Sequence, residues 1–141
     1  MITTFAEQAT NPGSVNESHV FHQLRRHPWE EWYFLREFSV LGVVYLRWWP
    51  EHLDVAISHP HGLVHASRAP ADDDLADPFA TDLAYWHTSG PPATAIGALL
   101  TLPSPNRTPH RDPYPTTACR IPDDWRTATR TLITPEDRSW S

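Results

Sequence analysis

The sequence of 141 residues contains no lysine, so all eleven of its basic side chains are arginines. Its single cysteine, Cys119, excludes an internal disulfide framework and is typical of a reducing compartment. No apolar run approaches the ~20 residues of a membrane-spanning helix. Met1-Ile2-Thr3-Thr4 also lacks the basic start of a secretion signal. We therefore expect a cytoplasmic protein that does not contact a membrane.

Positive charge is scarce as well. Seventeen acidic residues outnumber the eleven arginines, which gives a formal net charge of −6 at pH 7. Because binding to duplex nucleic acid depends on cations placed against phosphates, this charge disfavours a duplex-binding protein. The five glycines are scattered and form no phosphate-binding loop. The length allows one domain with a real core, since a chain of about 150 residues buries roughly two-thirds of its extended surface.

Fifteen prolines indicate how that domain is organised. Residues 1–13 are polar, contain the break Asn11-Pro12-Gly13, and are predicted to be a flexible N-terminal arm. Residues 14–102 carry the periodic apolar patterns of an α+β core domain. Six prolines then fall between 103 and 122, so residues 103–141 are predicted to be a proline-rich arm that packs on the core and includes a short helix after Pro122.

The core is predicted to be an antiparallel meander of four to five strands packed with two or three short helices. Apolar periodicity predicts helices over 15–26 and 91–102, and strands over 32–39, 43–49, 53–58, 63–68 and 82–87. Val40-Leu41-Gly42 is predicted to be the first hairpin turn, because glycine suits the left-handed position of a three-residue loop. That turn pairs Phe34 with Trp48.

Both faces of this first hairpin are largely apolar or aromatic. One face is expected to carry Trp32, Phe34, Phe38, Val44, Leu46 and Trp48. The opposite face is expected to carry Tyr33, Leu35, Val43, Tyr45 and Trp49. A sheet with one solvated face alternates apolar and polar residues instead. Each face therefore needs a cover, which is either another part of this chain or a partner.

The aromatic face leads to our main functional expectation, a non-enzymatic protein-binding or regulatory module. Tyrosine, tryptophan and arginine dominate the energetics of protein interfaces, and large exposed apolar patches mark partner surfaces. We expect Tyr33, Tyr45, Arg47 and Trp49 to contact a protein partner or a second copy of the chain, without a cofactor.

Nine histidines carry the first alternative, a small His-dependent hydrolase or phosphodiesterase that uses His59, His61, His65 and His87. His65-Ala66-Ser67 and His87-Thr88-Ser89 resemble the paired elements of 2H phosphoesterases. That resemblance implies that His65 and His87 act as acid and base on a phosphodiester. His59, His61 and His65 also have a spacing at which side chains from an extended backbone can converge on a zinc ion.

The second alternative is a single-stranded nucleic-acid-binding protein, in which arginines and aromatic rings contact phosphates and bases. The net charge opposes such binding over the molecule as a whole. This alternative therefore requires the cations of the aromatic region to gather on one side. They are Arg25, Arg26, Arg36 and Arg47.

The stretch from Val44 to Leu102 resembles an uncharacterised actinobacterial domain that is common in streptomycete chromosomes and plasmids. The matching pieces are Tyr45-Leu46-Arg47-Trp48-Trp49-Pro50, His65-Ala66-Ser67-Arg68-Ala69-Pro70 and Tyr85-Trp86-His87-Thr88-Ser89, followed by an alanine-rich helix after Pro91-Pro92. The resemblance implies an actinobacterial host and a mobile-element context. It implies no mechanism, because the domain has no established activity.

Overall fold

The computed structural model describes residues 12–71, 77–105 and 112–133, with side chains from Glu17 onward. Its helices are α1 (Pro12–Leu24) and α2 (Pro92–Leu100), and a single 3-10 turn covers Asp123–Trp125. The strands are β1 (Glu30–Arg36), β2 (Ser39–Trp49), β3 (His52–Ser58), β4 (Val64–Pro70), β5 (Leu83–Ala84), β6 (Trp86–Gly90), β7 (Tyr114–Pro115) and β8 (Thr129–Ile133). No helix in these ranges is long and apolar enough to cross a membrane.

Six of the strands form one antiparallel sheet in the order β6-β4-β3-β2-β1-β8, and β5 pairs with β7 in a separate ribbon. The predicted α+β class and the antiparallel meander from β1 to β4 are confirmed. The large sheet has six strands, however, which is more than the four to five predicted. The extra strand is β8, which lies along the outer edge of β1.

The helix predicted after Pro122 was wrong. The chain makes only a 3-10 turn at Asp123–Trp125 and then runs as β8, with Leu132 paired to Trp32. The helical interpretation rested on the spacing of apolar residues within the segment. It ignored the unpaired N–H and C=O groups along the edge of β1, which stabilise a β-branched stretch such as Thr129–Ile133 as a strand.

The predicted position of the first hairpin turn was also wrong. The turn falls at Glu37 and Phe38, so that Phe34 pairs with Gly42 rather than with Trp48, and a bulge follows Phe34. Glu37 takes the left-handed conformation (φ 54°) that had been assigned to a glycine. The partner of Phe34 moves by an even number of residues, so Trp32, Phe34, Val44 and Leu46 still share one face as predicted. Phe38, which was predicted on the same face, lies in the turn instead and is fully exposed.

Gly42 is needed inside β2 for a different reason. A Cβ atom at this position would lie 2.0 Å from Cη2 of the Trp125 indole. Glycine therefore allows the ring of Trp125 to lie directly on the backbone of β2. The structure does require a glycine at position 42, but for a close contact in the core rather than for a turn.

The sheet separates two cores. On the side that we call the helix face, α1 and α2 cover the sheet, and the buried side chains include Val20, Leu24, Tyr45, Ala56, Val64, Ala66, Ile96 and Leu99. On the opposite side, the loop face, two irregular segments around Phe79 and Trp125 cover Phe34, Val44, Leu46, Leu53, Val55 and Ile57. Most of both faces of the first hairpin is thus covered by this chain itself, whereas Phe38, Val40 and Trp48 are exposed.

The two predicted arms lie partly outside the described residues. Helix α1 begins at Pro12, inside the segment predicted as a flexible arm, and residues 1–11 are not described. In the proline-rich segment, the described part from 112 onward folds back on the core, where Ile121 and Trp125 are 3% and 4% exposed. Residues 106–111 and 134–141 are outside the description.

Candidate functional site

Two of the four predicted binding residues contact a buried carboxylate. The side chain of Glu31 points into the helix face, where the residue is only 1% exposed. Its Oε2 accepts hydrogen bonds from Tyr45 Oη at 2.9 Å, Arg25 Nε at 3.2 Å and Tyr33 Oη at 3.4 Å. Burial and the neighbouring Glu31 charge raise the pKa of Tyr45. Tyr45 is itself 1% exposed, so it belongs to the core and not to an exposed aromatic surface.

The other two predicted binding residues surround a second buried carboxylate. Trp49 donates its indole N–H to Asp54 Oδ2 at 2.9 Å, and the Arg47 guanidinium lies 3.9 Å from the centre of the Trp49 ring. Arg68 donates to both oxygens of Asp54, at 2.7 and 3.0 Å, and to the carbonyl of Pro103. Asp54 and Arg68 are 2% and 4% exposed.

Glu31 and Asp54 were missed by the sequence analysis. Asp54 alternates with apolar neighbours in β3, which is the pattern of a residue on a solvated face. The helices cover that face instead, and the charge is retained because Arg68 pairs with it. The one feature of the sequence that could have indicated a buried Asp54 is Arg68, which lies directly opposite it in the β3–β4 register.

The two His-x-Ser elements meet in the sheet. Strands β4 and β6 pair so that His65 lies opposite Ser89 and Ser67 lies opposite His87. Directly paired residues in an antiparallel sheet project from the same side, so both histidines stand on the loop face. As diagonal neighbours, they have Cα atoms about 7–8 Å apart. His65 Nδ1 lies 2.6 Å from Ser89 Oγ.

His87 and His59 complete this group from different elements. His87 Nδ1 lies 2.7 Å from the Tyr114 hydroxyl on β7. His59 follows β3, and its ring centre lies 5.3 Å from that of His65 and 5.1 Å from that of Trp125. The sequence pattern indicated His65 and His87, whereas the contacts with Tyr114 and Trp125 come from distant segments that no local pattern indicates.

The predicted zinc ligands do not form a metal site among the described residues. His59 and His61 stack with ring centres 4.9 Å apart, and the ring of His65 is nearly perpendicular to that of His59. No group of three or more histidine, cysteine, aspartate or glutamate side chains in the described ranges is arranged to hold a metal ion.

A cavity of about 430 Å³ opens between these histidines and the segment from 116 to 123, and we call it the histidine cavity. Its lining includes His59, His65, His87, Ser89, Thr116, Arg120 and Asp123. Within the described residues, the Arg120 guanidinium forms no salt bridge, since the four pairs found involve other arginines. The Asp123 carboxylate in this lining pairs with Arg126 at 3.5 Å. The cavity thus combines imidazoles and hydroxyl groups with one cation, Arg120, and one carboxylate that is paired with a different arginine.

The electrostatic environment favours neutral imidazoles in this cavity. Burial lowers the pKa of His65, and the nearby His61 and His87 lower it further. Burial also lowers the pKa of His59, with further lowering by His65 and His61 and an opposing contribution from Asp124. A neutral imidazole at neutral pH can accept a proton, which is the first requirement for a general base.

The four arginines of the nucleic-acid alternative do not all gather on one side. Arg36 donates to the Asp124 carbonyl and to Thr127, beyond the far end of β1 from Arg25. Arg25 is paired with Glu31. Arg26 and Arg47 do come together, and they line a second cavity beside α1.

Cys119 is buried beneath the β5–β7 ribbon. Its thiol donates to the carbonyl of Thr81 at 3.2 Å and to that of Leu83 at 3.4 Å. Burial raises the pKa of this thiol, so the reactive thiolate is disfavoured. Cys119 is therefore a packing residue.

No protein-family model, curated protein or solved structure matches this chain. Function is therefore inferred from the histidine cavity, the cavity beside α1 and their side chains. The resemblance to an actinobacterial domain stays a prediction.

Proposed function

We propose that the protein binds a phosphodiester in the histidine cavity and hydrolyses it by general acid–base catalysis. One observation carries this proposal: the antiparallel pairing of β4 with β6 places His65 and His87 on the same face, in a cavity that Arg120 also lines. The cavity volume of about 430 Å³ lies within the range of small-molecule sites.

The cavity offers donors for each charged oxygen of a phosphodiester. The guanidinium of Arg120 and the hydroxyl groups of Ser89 and Thr116 supply positive charge and O–H donors to the non-bridging oxygens. Both imidazoles line the same cavity, and we place the phosphorus atom there. This arrangement supports the phosphodiesterase alternative over the aromatic binding face, because the polar atoms of Tyr45 and Trp49 are already bonded to Glu31 and Asp54.

The proposed reaction uses one histidine as base and the other as acid. Neutral His65 removes a proton from a water molecule as its oxygen attacks phosphorus. Protonated His87 donates its proton to the leaving oxygen as the P–O bond breaks, so that the products are a phosphomonoester and an alcohol. His65 is assigned as the base because burial and neighbouring imidazoles lower its pKa.

The test is hydrolysis of a chromogenic aryl phosphodiester by the full chain and by glutamine variants. His65→Gln and His87→Gln are each expected to lower kcat by about 10²–10⁴-fold, the usual contribution of a general acid or base. His22→Gln is the matched control, because His22 is exposed on α1 and is expected to leave the rate unchanged. The rate of the wild type is expected to fall on acidification, as the pH passes through the pKa of His65, which burial and the neighbouring His61 and His87 hold below the ordinary imidazole value of about 6.5.

Two results would overturn the proposal. One is a wild-type protein with no turnover above buffer between about pH 5 and pH 8. The other is turnover that His65→Gln and His87→Gln leave unchanged, which would place the activity elsewhere or in a contaminant. Circular dichroism of each variant shows whether a lost rate reflects a lost fold.

The non-enzymatic protein-binding module remains a second candidate because of one surface feature. Phe38, at the tip of the β1–β2 hairpin, is fully exposed at 104%, and the nearby Val40 is 46% exposed. Such apolar side chains are typical of contacts with a second chain. Light scattering of the purified protein tests this candidate. A dimer that Phe38→Ser converts to a monomer supports it, and a monomeric wild type contradicts self-association.

A further inference from the structure

A second cavity lies on the helix face, at the end of α1, and we call it the arginine cavity. It has a volume of about 560 Å³, and its lining includes His19, Gln23, Arg26, His27, Trp29 and Arg47. None of its lining residues is acidic. Such a concentration of nitrogen donors is unusual in a chain whose acidic residues outnumber its basic ones by seventeen to eleven.

Both arginines of this cavity lack a carboxylate partner among the described residues. The salt bridges nearby involve Arg25 with Glu31 and Arg68 with Asp54. Arg47 lies opposite Asp54 in the β2–β3 register and interacts with its charge, but it forms no salt bridge with this carboxylate. The oxygens of Asp54 already accept bonds from Arg68 and Trp49, so the N–H donors of Arg47 can bind an anion.

Arg47 is also held in a fixed orientation. Its guanidinium lies 3.9 Å from the centre of the Trp49 ring, which is close contact for a cation over an aromatic face. A planar guanidinium stacked in this way keeps its N–H groups at its edges, where they can bind oxygens in pairs. Because folding already orders the Arg47 side chain, binding of an anion costs less side-chain entropy.

Two carbonyl groups in the last turn of α1, and one just beyond it, accept backbone hydrogen bonds. The carbonyl of Phe21 accepts the N–H of Arg25 at 3.0 Å, and that of Gln23 accepts the N–H of Arg26 at 3.3 Å. The carbonyl of Arg26 accepts the N–H of Trp29 at 2.9 Å. These bonds reduce the negative potential that a helix C-terminus otherwise presents to an anion.

We infer that the arginine cavity binds a compact polyphosphate group, such as the pyrophosphate of a nucleotide. Two guanidinium groups from different elements, together with His19 and His27, suit a ligand with several charged oxygens close together. A nucleic-acid strand fits less well, because it needs open aromatic faces for its bases. Trp29 is 4% exposed, and Arg47 covers one face of Trp49.

The test is calorimetric titration with inorganic pyrophosphate. It uses the Arg120→Gln background, in which the histidine cavity has lost its cation, so that this site and the proposed catalytic site are measured separately. We expect one pyrophosphate per chain. Arg26→Gln and Arg47→Gln are each expected to weaken binding at least tenfold, whereas the exposed Arg126→Gln removes an equal charge elsewhere and is expected to have no effect.

Arg47→Lys gives a further check on the geometry. It keeps the charge but removes the planar group that lies on Trp49, so weaker binding by this variant supports the stacked arrangement. Absence of pyrophosphate binding, or equal weakening by Arg126→Gln, overturns the inference. A third outcome also overturns it: the protein binds single-stranded oligothymidine through Arg26 and Arg47 but does not bind pyrophosphate. The ligand of the cavity is then a nucleic-acid strand.

Discussion

Replacing Gly42 with alanine tests how the loop face is closed. The new methyl carbon would lie 2.0, 2.5 and 2.7 Å from three carbons of the Trp125 ring. That ring is rigid and 4% exposed, and it also packs on Phe34 and His59. Overpacking a core costs about 1–3 kcal/mol. We expect Gly42→Ala to lower the free energy of unfolding by about 3 kcal/mol, because no flexible side-chain end is present to move away.

The measurement is urea unfolding followed by far-ultraviolet circular dichroism, since tryptophan fluorescence would respond to movement of Trp125 itself. Gly97→Ala is the matched control. Gly97 lies in α2, and a Cβ atom there meets nothing within 4 Å. This substitution is expected to raise the free energy of unfolding by about 0.5–1 kcal/mol through helix propensity.

A double-mutant cycle with Trp125→Leu isolates the contact. The smaller side chain leaves space for the methyl group, so Gly42→Ala should cost less in that background, with a coupling energy of about 1–3 kcal/mol. Full stability of Gly42→Ala, or the same loss in both backgrounds, would refute the reasoning. In that case Trp125 would not lie on β2, and the segment that carries it would not cover the loop face.

The other predictions concern buried polar groups. Asp54→Ala leaves the charge of Arg68 buried and unpaired, so it should cost about 3–5 kcal/mol in urea unfolding. The apolar pair Asp54→Leu with Arg68→Met should be close to neutral, and an equally large loss would contradict this account. Cys119 should resist a thiol reagent in native protein and react in urea, since burial raises its pKa; fast native labelling would show it exposed. The pKa values of His59 and His65 are lowered in the folded state, so their contribution to stability is complete above about pH 6.5 and is lost as the pH falls through their folded values. The loss of stability on acidification should be smaller in the His59→Asn/His65→Asn variant. An unchanged loss would show that these two histidines do not cause it.

The sequence by itself determined those parts of the fold that depend on neighbouring residues. Leu53, Val55 and Ile57 alternate with other residues in β3, and this alternation predicted both the strand and the face that each side chain occupies. Pro91-Pro92 predicted the start of α2. The two His-x-Ser elements are local patterns as well, so the sequence alone is enough to make His65 and His87 candidates.

Only the tertiary structure decided what covers each face. The alternation of apolar and polar residues along a strand predicts which side chains share a face. The segment that covers a face comes from elsewhere in the chain, so the residues next to the covered ones do not indicate it. Tyr45 was therefore placed on the correct face of the hairpin and expected at a surface, although α1 buries it against Glu31. The same limit applies to β8 and to Arg120, since both reach their places through contacts between residues far apart in sequence.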